Sequence, residues 1–93
     1  MVKAIWNGVT IAESDETLLV DRSIYFPPSS LGREYLRPSV RTSTCPHKGV
    51  ARYYDVVVGD VVNANAAWCY PEPKPVAERI RGYVAFWQGV QIV

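Results

Sequence analysis

Cys45, His47 and Lys48 stand almost side by side in the stretch Thr44-Cys45-Pro46-His47-Lys48-Gly49. A thiol beside an amine and an imidazole is the setting in which a cysteine loses its proton early and attacks as a thiolate. His47 is the single histidine of the chain, so it is the one imidazole that could serve the thiol as a base. Along a strand, residues two apart share a face, which would bring His47 toward Cys45; a turn would break that geometry. Lys48 offers positive charge to a ligand, or an amine nucleophile. Pro46 and Gly49 shape the turn. Cys45, Lys48 and His47 are therefore the candidate catalytic residues. The competing expectation is that Cys45 is a small buried hydrophobe, as free cysteines usually are.

Aromatic and basic residues gather in sequence around this turn. Tyr53 and Tyr54 follow it, Trp68 and Tyr70 flank Cys69, and Tyr25 and Phe26 precede Pro27-Pro28. Arg33, Arg37 and Arg41 recur every four positions on the approach, although Pro38 forbids one helix from holding all three. Guanidinium, amine and phenol groups beside aromatic faces suit a small anionic or planar ligand. The expected ligand-binding set is Tyr25, Arg41, Thr44, Lys48, Tyr53, Trp68 and Tyr70. The plainer expectation is that the tyrosines are half-buried sheet residues and the arginines a solvated rim.

Other chemistries are poorly served. A structural zinc site takes four ligands, usually in close cysteine pairs. Here Lys48 stands where the second cysteine of a Cys45 knuckle belongs, and Cys69 has no partner, so neither metal nor cofactor is expected. Nucleotidyl transfer needs paired carboxylates to hold magnesium, and the acids are scattered with no Asp-x-Asp. Lys48-Gly49 alone is no phosphate loop.

The elements that must position these residues read as strands. Val2 to Trp6, Asn7-Gly8, and Val9 to Glu13 form a hairpin signal. Thr17 to Arg22 alternates, with Leu18 and Val20 on one face and Leu19 and Asp21 on the other. Ser23 to Phe26 is ended by Pro27-Pro28. Ser29 or Ser30 caps one or two helical turns through Leu36, stopped by Pro38. Val50 to Val58 is the longest strand, closed by Gly59-Asp60, and Ala66 to Tyr70 is another. Pro71 to Pro75 is a stiff connector. It leads to a short helix over Val76 to Arg81, with Val76 and Ile80 on one face and Gly82 as its C-terminal cap. Tyr83 to Trp87, Gln88-Gly89 and Val90 to Ile92 echo the opening hairpin. That echo is either an internal repeat or the convergence of two hairpins on one pattern, and its shortness favours convergence. The fold class is mainly β and antiparallel, with one or two short helices; the lack of βαβ alternation argues against a parallel sheet.

The totals agree. The chain has 93 residues, enough for a single domain spanning 1–93, and 48% of them are apolar. Ten basic and nine acidic side chains leave a net charge of +1, too balanced for a general nucleic-acid binder. Basic and aromatic residues do interleave from Arg33 to Tyr54, but a small-molecule pocket explains them better than a nucleic acid. No apolar run approaches the ~20 residues that cross a bilayer, and the first residues carry no export signal. Two cysteines are too few for a disulfide framework. A cytoplasmic location with free thiols follows as the expectation. Exposed strand edges would permit a homodimer.

Taken together, several blocks resemble one family over nearly the whole chain. They are Trp6-Asn7-Gly8 with Ile11 to Ser14, Tyr25 to Pro28, Arg33 to Leu36, Thr44 to Tyr54, Ala67 to Pro73, and Ile80 to Trp87. The chain resembles the bacterial and fungal domain-of-unknown-function family 427, which has also carried a nucleotidyltransferase label. The resemblance implies a β-tent, or Mss4-like, architecture of antiparallel sheets leaning over a small core. Several relatives of that fold hold zinc in Cys-x-x-Cys knuckles. It implies no reaction. Two function classes follow: a small-molecule-binding or interaction module around the Thr44–Gly49 turn, and a small enzyme using Cys45 or Lys48.

Overall fold

The computed structural model describes all 93 residues. Nine strands alternate with short 3-10 turns, and every strand pairing is antiparallel. The mainly β expectation therefore stands. Strands β1 (Val2–Trp6) and β2 (Val9–Ser14) form the predicted hairpin. Asn7 and Gly8 take the positive φ angles of 50° and 76° that the tight turn needs. Strands β3 (Leu18–Val20) and β4 (Ser23–Tyr25) form a second hairpin. The sequence reading carried β3 through Arg22. Instead Asp21 and Arg22, at φ 47° and 69°, make the turn between the two strands.

The main sheet has the order β5-β6-β7-β8. It comprises β5 (Leu36–Cys45), β6 (Gly49–Val58), β7 (Val61–Cys69) and β8 (Val84–Phe86). β5 is a ten-residue strand; the run before the Thr44–Gly49 turn reads as a strand in the sequence, but without these bounds. Pro38 was expected only as a helix stop, yet it lies within the strand. An edge position tolerates it, because the outer side of β5 has no partner to which a backbone N–H would donate.

Alternation gives the main sheet two buried faces. Val56, Ala67, Cys69, Val84 and Phe86 point to one side, where they meet Ala4, Ile11 and Ala12 of the β2-β1-β9 sheet, with Phe26 between. Phe26 and Phe86 meet edge to face at 5.6 Å. Ala51, Tyr53, Tyr70 and Ala85 point to the other side. There Tyr25 of β4 and Ala77 and Ile80 of the last 3-10 segment cover them. Leu18 and Val20 join this second core as expected, and Leu19 faces out.

Two further expectations are corrected. The helical segments are 3-10 turns, Pro28–Ser30, Arg33–Tyr35 and Pro75–Ile80, and no serine side chain caps any of them. In the last, Val76 is 79% exposed while Ile80 is fully buried. Three residues per turn put Ala77, not Val76, above Ile80. The closing segment is also no hairpin. Gln88 and Gly89 turn at φ 54° and 86°, much as Asn7 and Gly8 do. Yet β8 pairs with β7, while β9 (Gln91–Ile92) crosses to β1. The echo is one of turn chemistry, and the two strands part into different sheets. No helix is long and apolar enough to cross a membrane.

Candidate functional site

The second buried face does not close completely. Where β6 and β7 pass under the β3–β4 hairpin, a hollow of about 250 Å³ remains. Same-face positions of neighbouring strands build its walls. Tyr53 of β6 pairs in register with Trp68 of β7, and Tyr70 follows two residues on. Tyr25 enters from β4 and Trp87 from just beyond β8. Asp21, Ser23 and Lys48 complete the lining.

The aromatic walls pack on one another. Trp68 stands edge-on to Tyr25 at 6.3 Å and to Trp87 at 5.7 Å, and it tilts against Tyr53 at 6.5 Å. Such edge-to-face contacts are the favoured arrangement for π-systems and stiffen the wall. Trp87 is fixed by a 2.6 Å hydrogen bond from its indole N–H to the carbonyl of Asn65, a residue at φ 55° in the β6–β7 bulge. The Asn65 amide in turn donates to Asp55 Oδ1 at 2.9 Å. The guanidinium of Arg41 lies over Tyr53 at 4.7 Å and over Trp87 at 5.8 Å. Ser43 and Tyr53 join hydroxyls at 2.9 Å.

Lys48 closes one end. Its ammonium bonds Asp21 Oδ2 in the β3–β4 turn and lies 3.9 Å from Cys45 Sγ. Asp21 holds the Lys48 pKa above its ordinary value, and Lys48 holds the Asp21 carboxyl below its own. Cys45 is half-buried. Its thiol is pulled below the usual range first by the backbone N–H of His47, then by that of Lys48, with the Lys48 charge adding to them. Burial works against this. Burial also pushes the Tyr25 phenol up, and the Tyr70 phenol up to about 12.

The residues expected at the site divide as follows. Tyr25, Lys48, Tyr53, Trp68 and Tyr70 line one hollow together. Arg41 stacks on two of its walls from outside the lining. Thr44 is exposed and pairs with Val50, on the face of β5 opposite Ser43 and Cys45, so the structure does not bring it in. His47 lines a separate hollow of about 280 Å³ with Val20, Val76 and Ile80, and it is its backbone N–H that lowers the Cys45 pKa. Asp21 and Lys48 line both hollows, so their ion pair is the wall between them. Arg37 pairs with Asp55 instead of joining Arg41. Cys69 sits in the first core with its thiol pKa raised by burial, so Cys45, His47 and Cys69 do not converge, and no three His, Cys, Asp or Glu side chains gather as a metal would require. Asp21, Ser23 and Trp87 are lining residues that sequence reasoning missed. A two-residue turn was the one signal that could have singled out Asp21, and it lacks glycine.

The class that fold and site define is a small antiparallel β domain with an aromatic hollow at one end of its main sheet. The chain belongs to the family described as Domain of unknown function (DUF427), whose model matches residues 1–93. No curated protein matches it.

Proposed function

We propose that the chain is a binding module for a small planar or anionic molecule, held in the hollow between Tyr53, Trp68 and Trp87 on one side and Lys48 on the other. The observation that carries this reading is the composition of the hollow. Five aromatic side chains and one ammonium share a space of about 250 Å³, a little below the ~300–1,000 Å³ of drug-sized sites and suited to one or two rings. The β-tent architecture and a reducing compartment, with Cys45 and Cys69 both free thiols, belong to the same reading.

The test uses the three tryptophans, whose indole N–H signals are separate reporters in a proton–nitrogen spectrum. Trp68 and Trp87 line the hollow, whereas Trp6 packs against the other core. One- and two-ring compounds of positive, neutral and negative charge are titrated in turn. Binding moves the Trp68 and Trp87 signals and spares Trp6. If no compound moves them, the hollow is not a binding site.

A second reading is favoured by the Cys45 environment: a thiol enzyme, with the thiolate held by backbone N–H groups at the mouth of the β5–β6 turn. The residues offer it no side-chain base, since His47 lines the neighbouring hollow and the Lys48 ammonium is committed to Asp21. Nucleotidyl transfer draws no support from the site, because Asp21 is the single carboxylate of the hollow and the reaction needs a metal-holding pair.

A further inference from the structure

Counting protons in the hollow narrows the ligand, given that the hollow is a binding site as proposed above. An indole N–H can only donate. The Trp68 N–H donates to the Tyr25 hydroxyl at 3.3 Å, so that oxygen is the acceptor and the Tyr25 proton points elsewhere. No protein group accepts it, although Tyr25 is 2% exposed. Tyr70 is 7% exposed, and its hydroxyl also has no partner in the protein. The Tyr70 hydroxyl is not sealed in, since no enclosed side-chain polar atom lacks a partner, and both tyrosines line the hollow. Tyr70 lines the hollow together with Lys48. The Lys48 ammonium uses protons on Asp21 and toward Cys45 and keeps another.

The acceptor side of the lining is small: the Asp21 carboxylate, engaged by Lys48 through Oδ2, and the Ser23 hydroxyl. Asp21 is bound to Lys48 and its side chain is 72% exposed. Ser43 and Tyr53 share one hydrogen bond. Both buried phenols are protonated at neutral pH, so each has a proton to donate. The end of the hollow thus offers protons and asks for an oxygen that accepts several of them.

We propose that the hollow takes a planar ring bearing a single carboxylate, with the carboxylate among Tyr25, Tyr70 and Lys48 and the ring against Trp68. A quaternary or primary ammonium would suit aromatic walls in general. Here it would bring no acceptor and would meet the Lys48 charge, and Arg41 already lies over Tyr53 and Trp87. A phosphate dianion calls for clustered guanidinium or ammonium groups, and the lining holds one ammonium, half neutralised by Asp21. One negative charge matches what is left.

Calorimetric titration with 2-naphthoate, 2-naphthamide and benzyltrimethylammonium tests this. The carboxylate should bind at least about tenfold more tightly than the amide, the scale of a hydrogen bond to a charged group. Tyr70→Phe should weaken naphthoate about tenfold and leave naphthamide nearly unchanged. Asp21→Asn should tighten naphthoate, because it removes a competitor for Lys48. That variant keeps the fold, since asparagine tolerates the left-handed φ of 47° found at this exposed turn. Equal binding of amide and carboxylate, or preference for the ammonium, overturns the carboxylate assignment while leaving the hollow a ligand site. So does an unchanged naphthoate affinity in Tyr70→Phe. Failure of all three compounds to bind overturns both.

Discussion

Lys48 reaches across 27 positions of sequence to bond Asp21, and the pair divides two hollows on one face of the molecule. The lysine side chain is 12% exposed and the aspartate 72%. The less exposed partner is therefore the cation, and the Asp21 carboxylate adds to the stability of its charged form.

This has a pH signature. The Asp21 carboxyl is held below its ordinary 3.8, chiefly by its hydrogen bond from Lys48. Its contribution is complete above 3.8 and fades as pH falls through the lower folded value. The Lys48 ammonium is held above its ordinary 10.5, chiefly by Asp21. That contribution is complete below 10.5 and fades as pH rises through the higher folded value. The difference in melting temperature between the native chain and Asp21→Asn should therefore be flat across neutral pH and shrink at both extremes. A difference that varies steeply between pH 5 and 9 would mean that some other group controls the pair.

Asp55 anchors the bulge that carries Trp87. Its carboxylate accepts from the Asn65 amide at 2.9 Å and from Arg37 Nη2 at 2.9 Å, joining β5, β6 and β7. The Asn65 amide is the larger cause of its lowered pKa. Asp55→Ala strands that amide and should cost about 1–3 kcal/mol, measured as a urea midpoint. The Trp87 indole N–H, bound to the Asn65 carbonyl, should shift in the same variant. Acidification of the native protein should lose the same contribution as pH drops below 3.8.

Much of this site was legible because alternation is a local rule. Once Val50–Val58 and Ala66–Tyr70 read as strands, Tyr53, Trp68 and Tyr70 had to take consistent faces, and the turn residue Lys48 had to sit at a strand end. What alternation cannot supply is which strand lies beside which. The extent of β5 escaped notice because its sequence, Leu36-Arg37-Pro38-Ser39-Val40-Arg41-Thr42-Ser43-Thr44-Cys45, buries little. Val40 is fully exposed, as an edge strand allows. The closing segment misled for the opposite reason. Its turn chemistry is that of a hairpin, but β8 and β9 find better partners in β7 and β1. Thr44 and His47 were misplaced because adjacency in sequence was read as adjacency in space. One strand position, or one turn residue, sends a side chain to another face.

Gly49 fastens the proline-rich connector to the turn. Its φ is 110°, and a Cβ there would stand 3.4 Å from the Glu72 carbonyl oxygen. The neighbouring Lys48 carbonyl accepts from the Lys74 amide at 2.9 Å, and Lys74 Nζ donates to the Pro46 carbonyl at 2.8 Å. Gly49→Ala should destabilise by about 1–3 kcal/mol through backbone strain, read in chemical denaturation. A neutral result would show that the connector yields to the extra methyl.

Cys45 should be the reactive thiol and His47 should be irrelevant to its reactivity. At neutral pH an alkylating reagent should modify Cys45 rapidly in the native protein, while Cys69, 5% exposed and raised by burial, reacts only on unfolding. The rate should rise with pH with a midpoint below the ordinary 9.0. The two leading causes of that depression are main-chain N–H groups, which substitution of a side chain does not remove. His47→Ala should therefore leave the midpoint nearly in place. Lys48→Met deletes only the charge contribution and should move it modestly upward. A large slowing in His47→Ala would contradict this and would mean that the imidazole, and not the main chain, activates the sulfur. With the midpoint in place, the main chain of the turn, more than either side chain, would be what lowers the thiol's pKa.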